Sequence, residues 1–362
     1  MHLNREKNFL PALTIVALAL FFLGATLLTP DTSAQKIKQL PPPPPAPRYR
    51  PKPTPTPAPI EYDVVRVTSN LVVVPVSVTD AQGQPVRDLK PADFRIEEDG
   101  RQQEIAQLGD PEQVPLDIAI LVDVSGSVVA RFDFEQEAAS RFLERVLKPE
   151  DRATVFAIDE TPRLIQQLTS AANASRSLMS IKPSNSYTAF FDSVVAATNY
   201  LDRNSSNGRR RIIVVISDGD DTARILTVSR AKPDVIGMDA QLQLIQNAQL
   251  DILHDIQRAE VTFYSINPSG QTMRLNVRTA RSETGMERLA AATGGAAFVP
   301  AHETDLTNIF NRIASEIRTQ YLLQYYSNNQ SGSQAFRRIA VTTPGHSELR
   351  VRAREGYYPK AK

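Results

Sequence analysis

The chain has no cysteine. That excludes a disulfide scaffold, a thiolate metal site, a cysteine nucleophile and a lipid-modified N-terminal cysteine, and it leaves the redox compartment open. Histidine is scarce. His2, His254, His302 and His346 stand far apart, without the H-E-x-x-H spacing of a zinc hydrolase, and they read as surface or structural residues. No Walker loop or G-x-G-x-x-G follows an apolar run, and no serine lies in a G-x-S-x-G elbow with a histidine partner. Excess charge is also missing: 41 Lys and Arg face 40 Asp and Glu, for a net charge of +1. The first 60 residues carry +5 and residues 61–362 carry −4, so the body has no basic stripe to suit nucleic acid.

What is present fits a protein that folds largely in water. Hydrophobic residues make up 41% and charged residues 22% of the 362, which excludes whole-chain disorder, collagen and a polytopic membrane protein and leaves room for one large domain or two smaller ones. Residues 1–34 have a basic start (Arg5, Lys7), an apolar run from Phe9 to Leu28, and small residues at Thr32-Ser33-Ala34. This pattern predicts export, either by cleavage after Ala34 or with residues 9–28 kept as an inner-membrane anchor, since 20 apolar residues at about 1.5 Å each just span a bilayer. The body is then secreted or periplasmic. From Pro41 to Pro59, 11 of 19 residues are proline, so 35–60 reads as an extended spacer.

Between Val64 and Thr79 the sequence alternates, with Val72, Val74, Val76 and Val78 on one face, which predicts a strand. Residues 94–98 and 101–105 flank Asp99-Gly100, the favoured hairpin turn, so 61–110 reads as a small antiparallel unit with too few large apolar side chains to stand alone. From Leu116 the pattern changes to strands alternating with helices. Near-continuous apolar runs at 117–122, 154–158, 212–216, 261–266 and 296–299 alternate with helical stretches that include Phe134, Ala138, Phe142 and Val146, then 189–202, 240–259, 284–293 and 306–318. This predicts a doubly wound, mostly parallel α/β sheet over 115–318. Strands return at 321–326, 336–342 and 349–354, and 320–358 would complete a β-sandwich begun by 61–110, with the α/β part inserted between its halves.

Two apolar runs end in carboxylates. Val122 leads into Asp123-Val124-Ser125-Gly126-Ser127, and Ile216 leads into Ser217-Asp218-Gly219; Thr188 opens a helix in Tyr187-Thr188-Ala189-Phe190-Phe191-Asp192. Asp, Ser and Thr supply only hard oxygen ligands, which suit a small divalent cation such as Mg²⁺ or Mn²⁺ and poorly suit zinc or copper. A haloacid-type phosphotransferase also begins from an Asp after a strand, but it needs a second Asp where this chain has Ser125.

D-x-S-x-S after a buried strand, a later T-x-x-x-D and a later S-D-G closely resemble the metal-ion-dependent adhesion site (MIDAS) of von Willebrand factor type A domains. The resemblance implies metal ligation by Asp123, Ser125, Ser127, Thr188 and Asp218. The hydroxyls would bind Mg²⁺ (or Mn²⁺ or Ca²⁺) directly and the carboxylates directly or through water, with one position open to an acidic side chain of a partner protein. R-I-E-E-D-G at 95–100, Y-L-L-Q-Y-Y at 321–326 and R-E-G-Y-Y at 354–358 resemble secreted acidobacterial-type proteins with a von Willebrand A-related core. The implied function is a non-enzymatic, metal-dependent adhesion module; the alternative is a structural envelope component whose metal stabilises the fold. Two departures stand out: bulky Phe190 and Phe191 after Thr188, and residues 224–238, which read as an extra loop. Asp220 and Asp221 read as solvated loop acids.

Overall fold

The computed structural model describes residues 71–126, 131–184, 186–231, 238–269, 277–302, 305–329, 331 and 333–360. The export segment, the proline spacer, residues 61–70 and Ser127 lie outside the described residues. No helix among the described residues is long and apolar enough to cross a membrane.

β1 (Leu71–Thr79) follows the alternation read from the sequence. Val72, Val74, Val76 and Val78 are buried, whereas Leu71 and Val73 on the other face are 42% and 38% exposed. β2 (Arg95–Glu98) and β3 (Arg101–Gln103) form the expected hairpin, and positive φ at Asp99 and Gly100 (49° and 77°) matches a two-residue primed turn. At Glu104 the chain then leaves this pair, and β4 (Ile105–Gly109) joins a different sheet.

The α/β part follows. β5 (Leu116–Asp123) is buried at every position. After it come α1 (Phe132–Val146), β6 (Arg152–Ile158), β7 (Pro162–Thr169), α2 (Ala171–Met179), α3 (Phe190–Asn204) and β8 (Arg210–Ile216). Then come α4 (Thr222–Ala231), α5 (Met238–Arg258), β9 (Val261–Ile266), α6 (Val277–Thr293), β10 (Ala297–Phe298) and α7 (Asp305–Thr319). The sheet order is β10-β9-β8-β5-β6-β7, parallel except for the β7 edge. Alternate side chains of β5 enter opposite cores, Ile118, Ile120 and Val122 against α1, α2 and α7, and Ala119 and Leu121 against α3, α5 and α6. This is a doubly wound α/β fold. In α1 the buried stripe begins at Phe132; Phe134 is only half-buried.

Three features depart from the sequence reading. β7 and α2 were not foreseen, because β7 is largely solvent-facing and therefore not apolar enough to read as a strand. The segment read as an extra loop at 224–238 is helical as far as Ala231 and again from Met238.

The chain returns through β11 (Tyr321–Tyr326), β12 (Arg337–Thr342), β13 (Arg350–Ala353) and β14 (Gly356–Tyr357). Two antiparallel sheets result, ordered β13-β1-β11-β4 and β14-β12-β2-β3. They share a core of the β1 valines with Phe94, Ile96, Leu323, Tyr325, Ile339 and Tyr357. Within the first sheet Gly109 pairs with Leu322, so the two ends of the α/β part sit side by side, and Val76 pairs with Ala353.

Candidate metal centre

β5 and β8 are neighbours in parallel register, Val122 beside Ile216, while β6 lies on the far side of β5. The winding direction therefore reverses between β5 and β8, where open α/β sheets place their ligand crevices. Asp123 ends β5 and is 1% exposed. Its Oδ1 accepts the Ser125 N–H at 2.9 Å, and its Oδ2 accepts the Ser217 hydroxyl at 2.8 Å, which ties the two strand ends together. Burial pushes the proton affinity of Asp123 up, and the nearby charge of Asp218 adds to this against the Ser125 and Ser217 donors. Ser125 is itself buried, and its hydroxyl also bonds to Asp123.

Asp218 is half-buried and accepts the Asp220 N–H at 3.1 Å. Gly219 makes the turn with φ of 76°, and a Cβ there would lie 2.9 Å from the Met286 methyl, so this glycine answers both a backbone and a packing demand. Thr188 is 5% exposed. Its N–H donates to the Thr222 hydroxyl at 2.8 Å and its carbonyl accepts the Ala223 N–H at 3.1 Å, which fixes it to the loop that carries Asp218. The Thr188 hydroxyl has no hydrogen-bond partner among the described residues. Asp123, Ser125, Thr188 and Asp218 thus all lie on the loops at this edge.

A second carboxylate on β5 shows what a structural acid looks like here. Asp117, at the opposite end of the strand, is fully buried and gripped by Arg152 at 2.9 and 2.7 Å and by Arg209 at 2.8 Å. Asp123 and Asp218 have no basic partner among the described residues. A buried acid without a countercharge is costly, and a hard cation would supply one. Among the described residues no group of three or more His, Cys, Asp or Glu could hold a metal, so a cation here would have to draw on the hydroxyls as well.

Asp221 is not a solvated loop acid. It is 2% exposed and accepts the Phe191 N–H at 2.9 Å and the Arg224 N–H at 2.9 Å, capping α4 and clamping it to the start of α3. Burial raises its proton affinity despite these donors and Arg224. We expect Asp221→Ala to cost about 2–4 kcal/mol, through a lost cap and an orphaned buried N–H. A raised folded value means that the contribution of the carboxyl is full below the ordinary 3.8 and lost as pH rises through the folded value. The stability advantage of wild type over Asp221→Asn should therefore shrink from about pH 3 towards neutrality. Denaturant melts of both proteins across that range check the sign.

Asp159 was missed altogether. It follows the apolar run of β6, the same signal that marks Asp123, and is 8% exposed. Its carboxylate accepts Arg163 at 2.8 Å, the Glu160 N–H at 2.9 Å and the Ser184 hydroxyl at 3.2 Å, and its carbonyl accepts the Ala189 N–H at 2.9 Å. Burial works against its charge, and these donors outweigh burial and hold its proton affinity down. It braces the Thr188 loop.

Residues 118–220 match the family model of the von Willebrand factor type A domain. The match covers well under half of the chain and spans β5 through β8 with the loop that follows. Among solved structures, the chain is similar to a von Willebrand factor type A protein from Catenulispora acidiphila, at 12% identity and a TM-score of 0.43 over 70% of this chain and 51% of that one. It is similar to the von Willebrand factor domain of the type V pilus tip protein Mfa5 from Porphyromonas gingivalis, at 14% identity and a TM-score of 0.41 over 56% and 95%. An aerotolerance-related membrane protein from Bacteroides fragilis gives 16% identity and a TM-score of 0.39 over 56% and 98%. None of these scores reaches 0.5. No curated protein matches the chain.

Proposed function

We propose that this chain is an extracytoplasmic binding module that grips a carboxylate of a partner protein through a divalent cation. Asp123, Ser125, Ser127, Thr188 and Asp218 would hold the ion, Mg²⁺ with Mn²⁺ or Ca²⁺ as substitutes. The observation that carries the reading is the buried Asp123 carboxylate, joined to the Asp218 loop through Ser217 and lacking any basic partner among the described residues. A bound cation would neutralise both acids and leave a Lewis-acidic position for an incoming oxygen. The residues of the chain then orient rather than react: Ser217 and the Ser125 N–H fix the Asp123 carboxylate, and Thr222 and Ala223 fix Thr188.

The test is capture from an envelope extract of the source cell by immobilised protein in Mg²⁺. The expected result is one protein that is released by chelator, is not captured by Asp218→Ala, and is lost once the extract's carboxyl groups have been amidated. Capture that survives both chelator and amidation would remove the reading.

A further inference from the structure

Away from the metal centre, a cavity of about 530 Å³ opens between α7, the end of β1 with its following turn, and β13. None of these elements carries a residue of the proposed ion site. Arg312, Arg350 and Arg352 line the cavity together with one acid, Glu316. The Glu316 carboxylate is already committed, accepting the Ser77 hydroxyl at 2.9 Å, the Tyr264 hydroxyl at 2.9 Å and the Arg352 guanidinium. Arg312 and Arg350 are exposed and have no acidic partner among the described residues. Arg312 is held in place by the Phe298 ring, whose centroid lies 5.3 Å from its guanidinium carbon. Arg350 and Arg352 lie two apart on one strand and share a face.

The rest of the lining decides the kind of anion. Gln84, Asn308 and Ser315 offer amide and hydroxyl groups, and among the described residues no aromatic or large aliphatic side chain reaches the cavity. A peptide's apolar anchor finds no pocket here, whereas a frame of hydroxyl groups bearing carboxylates finds matching donors and acceptors throughout. Guanidinium forks match carboxylates in pairs, and the volume lies in the usual range of small-ligand sites. We propose that this cavity is a binding site for an acidic oligosaccharide, whose carboxylates pair with Arg312 and Arg350 and whose hydroxyls meet Gln84 and Asn308.

Calorimetric titration of the full chain with trigalacturonate tests this, after divalent ions have been stripped on a chelating resin so that no ion at the other site can take the carboxylates and no soluble polycarboxylate competes. The expected result is saturable binding that falls about tenfold or more when the sugar is methyl-esterified, and by a similar factor in the Arg312→Gln/Arg350→Gln double variant, as for loss of a charge-assisted hydrogen bond. Both arginines are exposed and outside ion pairs, so the melting temperature of the double variant should match wild type; if it falls, the ester comparison on wild type still decides. No binding of trigalacturonate, equal binding of the ester, or equal or tighter binding of inorganic phosphate or tetraglutamate overturns the proposal.

Discussion

Asp123→Ala should abolish the rise in melting temperature that Mg²⁺ gives the wild-type protein. A ligand confined to the folded state stabilises it by RT ln(1 + [L]/Kd), about 2.7 kcal/mol at a hundredfold excess over Kd, which for a body of this size is a shift of roughly 4 °C. Alanine removes both carboxylate oxygens at the end of β5 and leaves the apolar strand before them untouched. The ion-free variant should lose little stability, because removing a buried acid without a countercharge offsets the acceptor lost to Ser125 and Ser217. Asn keeps an oxygen but not the charge, so its Mg²⁺ response should fall between the two. Equal Mg²⁺ shifts in wild type and Asp123→Ala, or no heat of ion binding in either, would falsify the ion site, and carboxylate capture would fall with it.

The second large effect is truncation. A chain ending at Arg318 should not melt cooperatively and should bind hydrophobic dyes. It lacks β11, which lies between β1 and β4, and β12, which lies between β14 and β2, so both antiparallel sheets lose an interior strand. Leu322, Leu323 and Tyr325 are fully buried there. Glu98, 2% exposed, would lose Tyr325 at 2.7 Å, Ser327 at 2.7 Å, Arg337 at 3.1 Å and Tyr357 at 3.1 Å, and with them the contacts that tie β2 to the rest of the sandwich. A soluble truncation with a single sharp melt would show that the remaining strands hold together without them.

The fold was legible wherever burial imposes a period. The valines of β1 alternate because one face meets a core, and β5, β8 and β9 read as unbroken apolar runs because helices cover both faces. β7 was not legible for the opposite reason: an edge strand with Arg163, Gln166 and Gln167 needs only its backbone to pair. α4 was hidden in a segment whose composition resembles a loop. At the site, acids ending apolar runs pointed to Asp123 and Asp218, and the same rule applied to β6 would have found Asp159. Asp221 could not be found that way. Its burial comes from two backbone N–H groups, one of them 30 residues away on α3, and no local spacing records such a contact.

The side-by-side pairing of Gly109 with Leu322, together with that of Val76 with Ala353, decides how this molecule bears tension. A pull applied through Leu71 at one end and beyond Ala353 at the other meets the antiparallel β1–β13 ladder from a single side. Its hydrogen bonds then open one after another, like a zipper, and not all together in shear. The same pull reaches the base of the α/β part, because the Glu355 N–H donates to the Ala292 carbonyl at 2.9 Å and Arg354 pairs with Glu260 at 3.4 Å. The carboxylates of Asp123 and Asp218 lie at the opposite ends of the parallel strands, away from the ladder that the pull opens.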